Sequence, residues 1–274
     1  MPEGHTLHRL ASALDEAFAG HAVRASSPQG RFAESAALID GRVLDRAEAY
    51  GKHLFVTVDE IDVVHVHLGL YGRFDVHRDV AEVPEPVGQV RLRLVGSGSY
   101  ADLRGATACE LLTSVERDVV LARLGPDPLR ADADPDAAWD RIHRSRAPIA
   151  GLLMDQSVVA GIGNVYRAEL LFRHRVDPFR SGRSLRAQQW REMWADLVEL
   201  MTDGVRTGRI DTVRPEHLTD VEIAARGRRR GHSYVYGRAG DPCRVCGTRV
   251  RTAVLQTRNL YWCPKCQRRF RGSI

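Results

Sequence analysis

Near its carboxyl end the chain carries CRVCGTRVRTAVLQTRNLYWCPKC (residues 243–266), in which two Cys-x-x-Cys pairs enclose sixteen residues. Four thiolates at this spacing give zinc its preferred tetrahedral sulfur shell. We therefore predict one structural zinc ion held by Cys243, Cys246, Cys263 and Cys266. Such a shell leaves no open position, which argues against a catalytic zinc, and redox use is the remaining alternative. Residues 252–255 and 259–262 are interpreted as the two strands of a hairpin.

Positive charge is concentrated around this segment. The whole chain has a net charge of +5, but residues 226–274 hold thirteen Lys or Arg against one acid, so residues 1–225 are net acidic. An acidic body with a basic end predicts a polyanionic partner at that end. The alternative is a disordered basic tail, against which the four cysteines, Tyr234, Tyr236, Tyr261 and Trp262 argue.

Length and composition predict a globular protein of two modest domains. The chain has 274 residues, of which 43% are hydrophobic. No apolar run approaches the ~18 residues of a membrane span, and no signal peptide is recognisable, so we expect a cytoplasmic protein, nucleoid-associated if bacterial. The fifth cysteine, Cys109, lies among apolar residues and is interpreted as a small buried side chain without a role.

Hydrophobic spacing divides the chain into a β-rich part and a helical part. Apolar residues at helical spacing predict a helix over 5–18, and alternation predicts strands over 53–59, 64–71 and 89–95, with a turn at 96–99. Short strands with glycine-rich turns are typical of a sandwich or barrel. Downstream, helices are predicted over 136–145, 148–158, 164–174 and 184–203. Residues 205–232 resist assignment, and their basic run at 226–230 is interpreted as a mobile loop.

The amino terminus offers an unusual nucleophile. If Met1 is removed, Pro2 presents a secondary amine whose α-amino group titrates near ~7.7–8.0, so part of it is neutral at neutral pH. A neutral amine can attack an electrophilic carbon and form a covalent iminium, with the neighbouring Glu3 as the acid. Taken alone, however, Met-Pro-Glu is also an ordinary start with a solvated glutamate.

Three further motifs are each ambiguous alone. The segment Ala160-Gly-Ile-Gly-Asn164 between two helices could place amides and Asn164 against a phosphate, or could be a plain pair of helix caps. Lys52 at a strand start could reach a phosphate or be a solvated charge. Leu70 and Tyr71 at a strand end could wedge between bases or be an ordinary core leucine and surface tyrosine. His65 and His67 are interpreted as hydrogen-bonded or solvated strand residues rather than ligands.

Together and in order, these pieces resemble the formamidopyrimidine-DNA glycosylase/endonuclease VIII family of base-excision repair enzymes. The resemblance covers nearly the whole chain. It runs through Pro2-Glu3, Gly51-Lys52, residues 67–72, residues 124–129, Asp155-Gln156, residues 160–169, residues 235–238 and the cysteine hairpin with Gln256-Thr257-Arg258.

The resemblance implies an α+β fold of two domains with damaged double-stranded DNA in the cleft between them. Residues 1–123 would form a helix-flanked β-sandwich catalytic domain, 124–135 a linker, 136–232 a helix–two-turns–helix DNA-binding domain, and 233–274 the zinc finger. It also implies a monomer that binds no membrane and needs no cofactor besides zinc.

Roles carry over to individual residues of this chain. Pro2 would be the nucleophile at the sugar C1′ and Glu3 the acid that assists ring opening. Lys52, Asn164 and Arg258 would hold phosphates around the flipped nucleotide, and Leu70 and Tyr71 would fill the gap in the base stack.

Four departures bear on the lesion. His5 and Thr6 replace the family's usual residues after Pro-Glu, including a common glutamate. Leu70-Tyr71 replaces the methionine wedge of the purine-preferring branch, and residues 101–107 lack that branch's Arg-x-Phe pair. Gly69 stands where the endonuclease VIII branch often has a glutamine. We therefore favour the endonuclease VIII branch and oxidised pyrimidines. The alternatives are a formamidopyrimidine/8-oxoguanine-preferring glycosylase, a catalytically idle damage-binding protein, and a zinc-ribbon protein that binds RNA.

Overall fold

The computed structural model describes residues 2–224 and 232–271, and it divides the chain into two compact units, residues 1–123 and 124–274. Met1 and the basic run at 226–230 lie outside the described residues, so the prediction of a mobile loop there is untested. Among the described residues, no helix is both long and apolar enough to cross a membrane.

Unit 1 begins with α1 (Gly4–Phe18), whose Leu7, Leu14 and Phe18 are buried at the predicted helical spacing. The elements that follow are β1 (His21–Ser26), α2 (Ala33–Ile39), β2 (Arg42–Tyr50), β3 (His53–Val58), β4 (Asp62–His67), β5 (Arg73–His77), β6 (Val90–Gly96), β7 (Ser99–Arg104), β8 (Ala108–Thr113) and α3 (Ser114–Leu121). A capping box between Thr113 and Glu116 starts α3, because each side chain satisfies the other residue's backbone N–H.

The strands of unit 1 form a sandwich. Strand β1 belongs to two antiparallel sheets, since His21–Val23 pair with β2 while Arg24–Ser26 pair with β6. One sheet runs β1-β2-β3-β4-β8 and the other β1-β6-β7-β5. The core of the unit combines α1 with buried side chains of both sheets, such as Leu54 and Leu103. The short alternating runs in the sequence therefore predicted the sandwich correctly.

One strand prediction is wrong at its end. The alternating run at 64–71 was predicted as a single strand, but β4 stops at His67. The N–H of Gly72 donates to the Leu68 carbonyl at 3.0 Å, and Gly69 has a φ of +67°. These contacts close a tight turn over Leu68–Gly72. The prediction extended the strand too far because Leu68 and Leu70 continue the alternating apolar pattern.

Unit 2 is helical with a small hairpin. Its elements are α4 (Pro135–Arg144), α5 (Ile149–Leu152), α6 (Asn164–Arg173), α7 (Ala187–Thr207), α8 (Asp220–Ala224), β9 (Arg251–Leu255) and β10 (Arg258–Trp262), with 3-10 turns at Gly182–Ser184 and Pro215–His217. The predicted helices at 136–145, 164–174 and 184–203 are present within a few residues. Trp190, Met193 and Leu260 lie in the core of this unit.

The helix predicted over 148–158 is wrong, because only Ile149–Leu152 are helical. The Asp155 carboxylate accepts from the N–H of Ser157 at 2.9 Å, and the Gln156 amide donates to the Ile162 carbonyl at 3.0 Å. Such side-chain bonds to the backbone compete with helix continuation. They build instead the compact turn that leads into α6.

Residues 124–129 pack within unit 2. The N–H of Gly125 donates to the Gln156 carbonyl at 2.8 Å, and the N–H of Ala160 donates to the Pro126 carbonyl at 3.0 Å. A Cβ on Gly125 would lie 2.4 Å from the Val158 carbonyl oxygen. This segment therefore braces the turn before α6.

Candidate active site and nucleic-acid interface

Helix α1 positions the two residues predicted to carry the chemistry. Glu3 is the extended residue before the first turn, and its carbonyl accepts from the N–H of Thr6 at 2.9 Å. The Glu3 side chain is 0% exposed, whereas Pro2 is half-buried. Once Met1 is removed, Pro2 would present a partly accessible amine beside this buried carboxyl group, an arrangement that general acid catalysis can use.

Pro2 borders a cavity of about 550 Å³ in unit 1. Thr6, Arg9 and Ala13 of α1 form one wall, and Gly72, Arg73 and Phe74 contribute to the other. The cavity is large enough for a nucleoside. The predicted nucleophile thus borders the same cavity as Leu68 and Gly72, the two ends of the turn that carries the predicted wedge.

His5 and Thr6, which depart from the family pattern, lie in the first turn of α1. Burial lowers the pKa of His5 to about 4, and the charge of the amino terminus adds to the effect, so His5 is neutral at neutral pH. Its Nε2 lies 3.3 Å from the Thr6 hydroxyl oxygen. Thr6 therefore places a hydroxyl group at the cavity that Pro2 borders, and the buried, neutral imidazole of His5 lies next to that hydroxyl.

The turn over Leu68–Gly72 presents its two central side chains to solvent. Leu70 is 42% exposed and Tyr71 is 86% exposed. Tyr71 in particular has little of its surface covered by this unit. The turn is tight, since a Cβ on Gly72 would lie 2.2 Å from the Leu68 carbonyl oxygen. An exposed leucine and tyrosine on a tight turn are suited to insertion between bases.

Lys52 stands beside a cluster of three histidines. Nδ1 of His53 lies 2.9 Å from Nε2 of His65, and Nδ1 of His67 lies 2.9 Å from the Thr107 hydroxyl. Burial, then the neighbouring histidines, then Lys52 lower the pKa of His53 to about 3. The cluster is therefore neutral, and the prediction that His65 and His67 are hydrogen-bonded strand residues is confirmed.

In unit 2, Asn164 binds the backbone next to Arg258, the other predicted phosphate ligand of this unit. Asn164 opens α6, and its Nδ2 donates to the carbonyl of Asn259, the residue after Arg258, at 2.9 Å. Arg167, which is 0% exposed, donates both to the Asn164 side-chain oxygen and to the same carbonyl. Asn164 thus ties the start of α6 to the start of β10, and Gly163 rather than Asn164 is the cap residue.

Glu169 organises the segment that leads into the zinc finger. Its buried carboxylate accepts from the N–H groups of Tyr234, Val235 and Tyr236 at 2.6–2.9 Å. The Thr212 hydroxyl donates to the same carboxylate. Four hydrogen bonds to one carboxylate hold these segments firmly against α6.

The four predicted zinc ligands converge. Their Sγ atoms all lie within 4.8 Å of one another, and this is the one such cluster among the described residues. Tetrahedral zinc with Zn–S bonds of ~2.3 Å needs sulfurs about 3.8 Å apart. The Sγ atoms of Cys243 and Cys266 are 3.9 Å apart, and those of Cys246 and Cys263 are 3.4 Å apart. The cluster therefore fits one structural zinc ion, as predicted.

Some residues at these sites escaped the sequence reasoning. Arg9 follows Thr6 by three residues, so the helix predicted over 5–18 already implied that these two side chains share a face. Arg73 follows the turn and had no sequence signal. Arg167 and Glu169 carry charge on an otherwise apolar helix, a pattern that signals paired buried groups.

Cys109 packs half-buried against the core of unit 1, and burial raises its pKa to about 12.

Three family models match the chain in sequence order. The formamidopyrimidine-DNA glycosylase N-terminal domain matches residues 1–109, the formamidopyrimidine-DNA glycosylase H2TH domain matches 124–215, and the zinc finger found in FPG and IleRS matches 240–269.

Similar proteins extend over almost the whole chain. "Endonuclease 8 1" of Mycobacterium tuberculosis is 56% identical over 269 residues, covering 97% of this chain and all of that protein. The formamidopyrimidine-DNA glycosylase of Thermus thermophilus is 31% identical over 236 residues, or 84% of this chain and 85% of that protein.

Solved structures share the fold. The crystal structure of the Thermus thermophilus MutM (Fpg) protein matches with a TM-score of 0.75 and 27% identity over 97% of this chain and 98% of that one. The Lactococcus lactis Fpg structure with abasic-site DNA matches with a TM-score of 0.76 and 18% identity over 97% of this chain and all of that one. With the site geometry, these matches establish that the chain belongs to the formamidopyrimidine-DNA glycosylase/endonuclease VIII family and is a DNA glycosylase with AP lyase activity.

Proposed function

We propose that this enzyme removes oxidised pyrimidines from double-stranded DNA and then cleaves the strand, with Pro2 as the nucleophile. The observation that carries the proposal is the position of Pro2, which borders a nucleoside-sized cavity together with the Leu68–Gly72 turn. The damaged base must leave the stack to be attacked, at a cost of a few kcal/mol. Leu70 and Tyr71 offset that cost by occupying the gap.

The reaction proceeds on the sugar. The Pro2 nitrogen forms a bond to C1′ as the N-glycosidic bond breaks and the base departs with a proton. Glu3 protonates the ring oxygen, the ring opens, and an iminium joins Pro2 to C1′. The iminium acidifies the C2′ proton, and its loss expels the 3′ phosphate by β-elimination. A second elimination at C5′ completes β,δ-cleavage where it occurs.

Cations hold the flanking phosphates. Lys52 lies in the turn between β2 and β3, and Arg258 begins β10 next to Asn164. A lysine supplies a point charge and an arginine a planar fork, and both offset the repulsion around an extruded nucleotide. Because Nδ2 of Asn164 is bound to the Asn259 carbonyl, Asn164 contacts a phosphate only if that bond is exchanged or shared.

The lesion preference follows from similarity and from unit 1. The relative at 56% identity is an endonuclease VIII, whereas the formamidopyrimidine-DNA glycosylases cited are near 31%. Arg104, in the stretch where the purine-preferring branch carries Arg-x-Phe, is bound to the Asp102 carboxylate at 2.8 Å and to the Val87 carbonyl at 3.0 Å. These contacts hold Arg104 within unit 1, which supports a pyrimidine preference.

Borohydride trapping on duplex DNA with one abasic site tests the nucleophile. We expect a reduced adduct that maps to Pro2 by mass analysis, with Met1 absent from the reacting protein. Pro2→Gly is expected to lose most trapping while it keeps DNA affinity. A chain with an uncleavable extra residue before Pro2 is the matched control, because it keeps the proline ring but converts its amine to an amide.

Two outcomes would overturn the proposal. If the extended chain traps as well as the wild type, another amine is the nucleophile. If the wild type binds abasic DNA without trapping and Met1 is absent, an idle damage-binding protein is the better description. Parallel assays with thymine glycol and 8-oxoguanine duplexes decide the lesion, since faster excision of 8-oxoguanine would assign the purine-preferring class. Competition with structured RNA excludes or supports the RNA-binding alternative.

A further inference from the structure

Unit 2 contains a second cavity, of about 660 Å³, that none of the proposed catalytic or phosphate-holding residues line. It lies between the segment after α6 and the outer ends of β9 and β10, beside the second cysteine knuckle. Its wall carries five arginines and a single acid, Asp177. The arginines are Arg146, Arg180, Arg183, Arg251 and Arg269.

The positive charge of this cavity is not neutralised within the described part of the chain. Arg146, Arg183, Arg251 and Arg269 are exposed and form no ion pair with a described carboxylate. The Asp177 carboxylate is occupied, since it accepts from the backbone N–H of Phe179 at 3.0 Å and of Phe270 at 2.9 Å. Five arginines around one acid leave an excess of positive charge, which selects for an anion that offers several oxygens.

One arginine of the cavity is held in place by neutral partners. Nε of Arg180 donates to the Ser184 hydroxyl at 2.9 Å, and its Nη1 donates to the Gln189 side-chain oxygen at 3.1 Å. Its guanidinium stacks 4.2 Å from the centre of the Phe270 ring. Arg180 therefore keeps its full charge at the wall of the cavity in a fixed orientation.

Aromatic rings line the same cavity. Phe179 and Trp262 meet edge to face, with ring centres 5.1 Å apart at 86°. Phe179 is 44% exposed and Phe270 is 43% exposed, so both rings offer surface to a ligand. Exposed aromatic and guanidinium planes together are the surfaces on which nucleobases stack, whatever their sequence.

We propose that this cavity binds a nucleoside phosphate, with the base against the Phe179, Trp262 and Phe270 rings and the phosphate against Arg183 and Arg251. Its volume is within the ~300–1,000 Å³ range of small-ligand pockets, which suits one nucleotide and not a duplex. The nucleotide can be free or can belong to an unpaired strand. The shared chemistry of the two sources is a base joined to a phosphodiester or phosphomonoester.

The test uses the full-length zinc-loaded protein with dAMP, deoxyadenosine and inorganic phosphate as separate probes. Calorimetry should show dAMP binding that is about tenfold or more tighter than either part alone, because stacking and charge act together. Arg183→Glu/Arg251→Glu should weaken dAMP binding by roughly tenfold or more through charge reversal. Arg191→Glu, an exposed charge reversal on α7 away from the cavity, should leave it unchanged.

A fluorescein-labelled oligonucleotide of ten thymidines separates the two sources. Competition of this strand by dAMP, together with its weaker binding to Arg183→Glu/Arg251→Glu, places a strand nucleotide in the cavity. Binding of dAMP without such competition assigns a free nucleotide. Equal dAMP affinity in Arg183→Glu/Arg251→Glu and Arg191→Glu, with unchanged zinc content and melting temperature, would overturn the proposal. Borohydride trapping on a short blunt abasic duplex should be the same in both variants, so this site can fail independently of the lyase mechanism.

Discussion

At the residue scale, the buried charge of Glu169 holds the backbone of residues 234–236 against α6. Its carboxylate accepts from three successive backbone N–H groups, Tyr234 to Tyr236. Those residues enter the zinc finger, whose Tyr234, Val235 and Cys243 pack with Phe172 of α6. The carboxylate thus joins helix α6 to the finger through the backbone rather than through side chains.

We expect Glu169→Gln to lower the free energy of unfolding by about 2–4 kcal/mol, since an amide NH₂ would face backbone donors at a buried position. The measurement is urea denaturation followed by tryptophan fluorescence. Glu192→Gln is the control, because Glu192 is exposed and, among the described residues, accepts a hydrogen bond only from Gln188 of its own helix. Equal effects of the two changes would contradict the role assigned to Glu169.

The histidine cluster predicts a pH dependence of stability. The pKa of His53 is lowered to about 3, below the unfolded value of 6.5, so the unfolded state binds more protons between these pH values. Stability is then fully present above pH 6.5 and is lost as pH falls, by about 1.4 kcal/mol per pH unit for one such proton. Chemical denaturation of the wild type at pH 7, 6 and 5 should show the decline.

His53→Gln should flatten that decline because it removes the titrating group, although His65 and His67 still contribute. The exposed His21→Gln is the matched control and should follow the wild type. If the free energy of unfolding of His53→Gln falls with pH as steeply as that of the wild type, the burial of this imidazole does not cause the loss of stability at acid pH.

At the scale of single elements, the Leu68–Gly72 turn decides how two exposed side chains are presented. Gly72 permits the turn to close, because the Leu68 backbone occupies the space that a Cβ would need. Tyr71, by contrast, makes little contact with unit 1. The geometry of this turn and the proposed contact of Tyr71 with DNA can therefore be tested separately.

Gly72→Ala should cost about 1–3 kcal/mol of stability through the strain of opening the turn, and it should slow base excision. Tyr71→Ala should keep the melting temperature of the wild type and slow base excision alone, since exposed substitutions change stability by only about 0.5 kcal/mol. Differential scanning calorimetry and a single-turnover excision assay measure the two effects. A destabilised Tyr71→Ala would contradict the assignment of this side chain to DNA.

At the scale of the whole molecule, the two units have separate cores and separate spectroscopic signals. All four tryptophans, at positions 139, 190, 194 and 262, belong to unit 2. Leu260 of the zinc hairpin is fully buried in the same core as Trp190 of α7. The finger is therefore part of the core of unit 2 and not an appendage on it.

Zinc removal should destabilise unit 2 as a whole. A chelator, or Cys263→Ser, should lower the melting temperature seen by tryptophan fluorescence, because metal binding supplies folding free energy directly. The strand signal of unit 1 in circular dichroism should shift less. Magnesium-saturated chelator is the control for the reagent itself. If the unfolding transition seen by tryptophan fluorescence is unchanged by zinc removal, the zinc finger is not part of the core of unit 2.

The sequence by itself determined the features that depend on local spacing. The Cys-x-x-Cys pairs specify their metal through ligand chemistry alone, and apolar periodicity placed α1, α4, α6 and α7. The order of the motifs identified the family. Each motif is weak evidence by itself, but all of them in this order are specific. Pro2, Glu3, Lys52, Arg258 and the wedge residues are visible in the sequence as candidates for this reason.

Tertiary structure decided what depends on contacts between distant residues. The helix predicted over 148–158 fails because Asp155 and Gln156 bind backbone groups, a choice that periodicity does not reveal. The end of β4 at His67 depends on the close approach within the Leu68–Gly72 turn. The bond between Asn164 and the Asn259 carbonyl, and the arginine-lined cavity in unit 2, join residues far apart in the chain. Such contacts follow from packing, because only the folded backbone brings their partners within hydrogen-bonding distance.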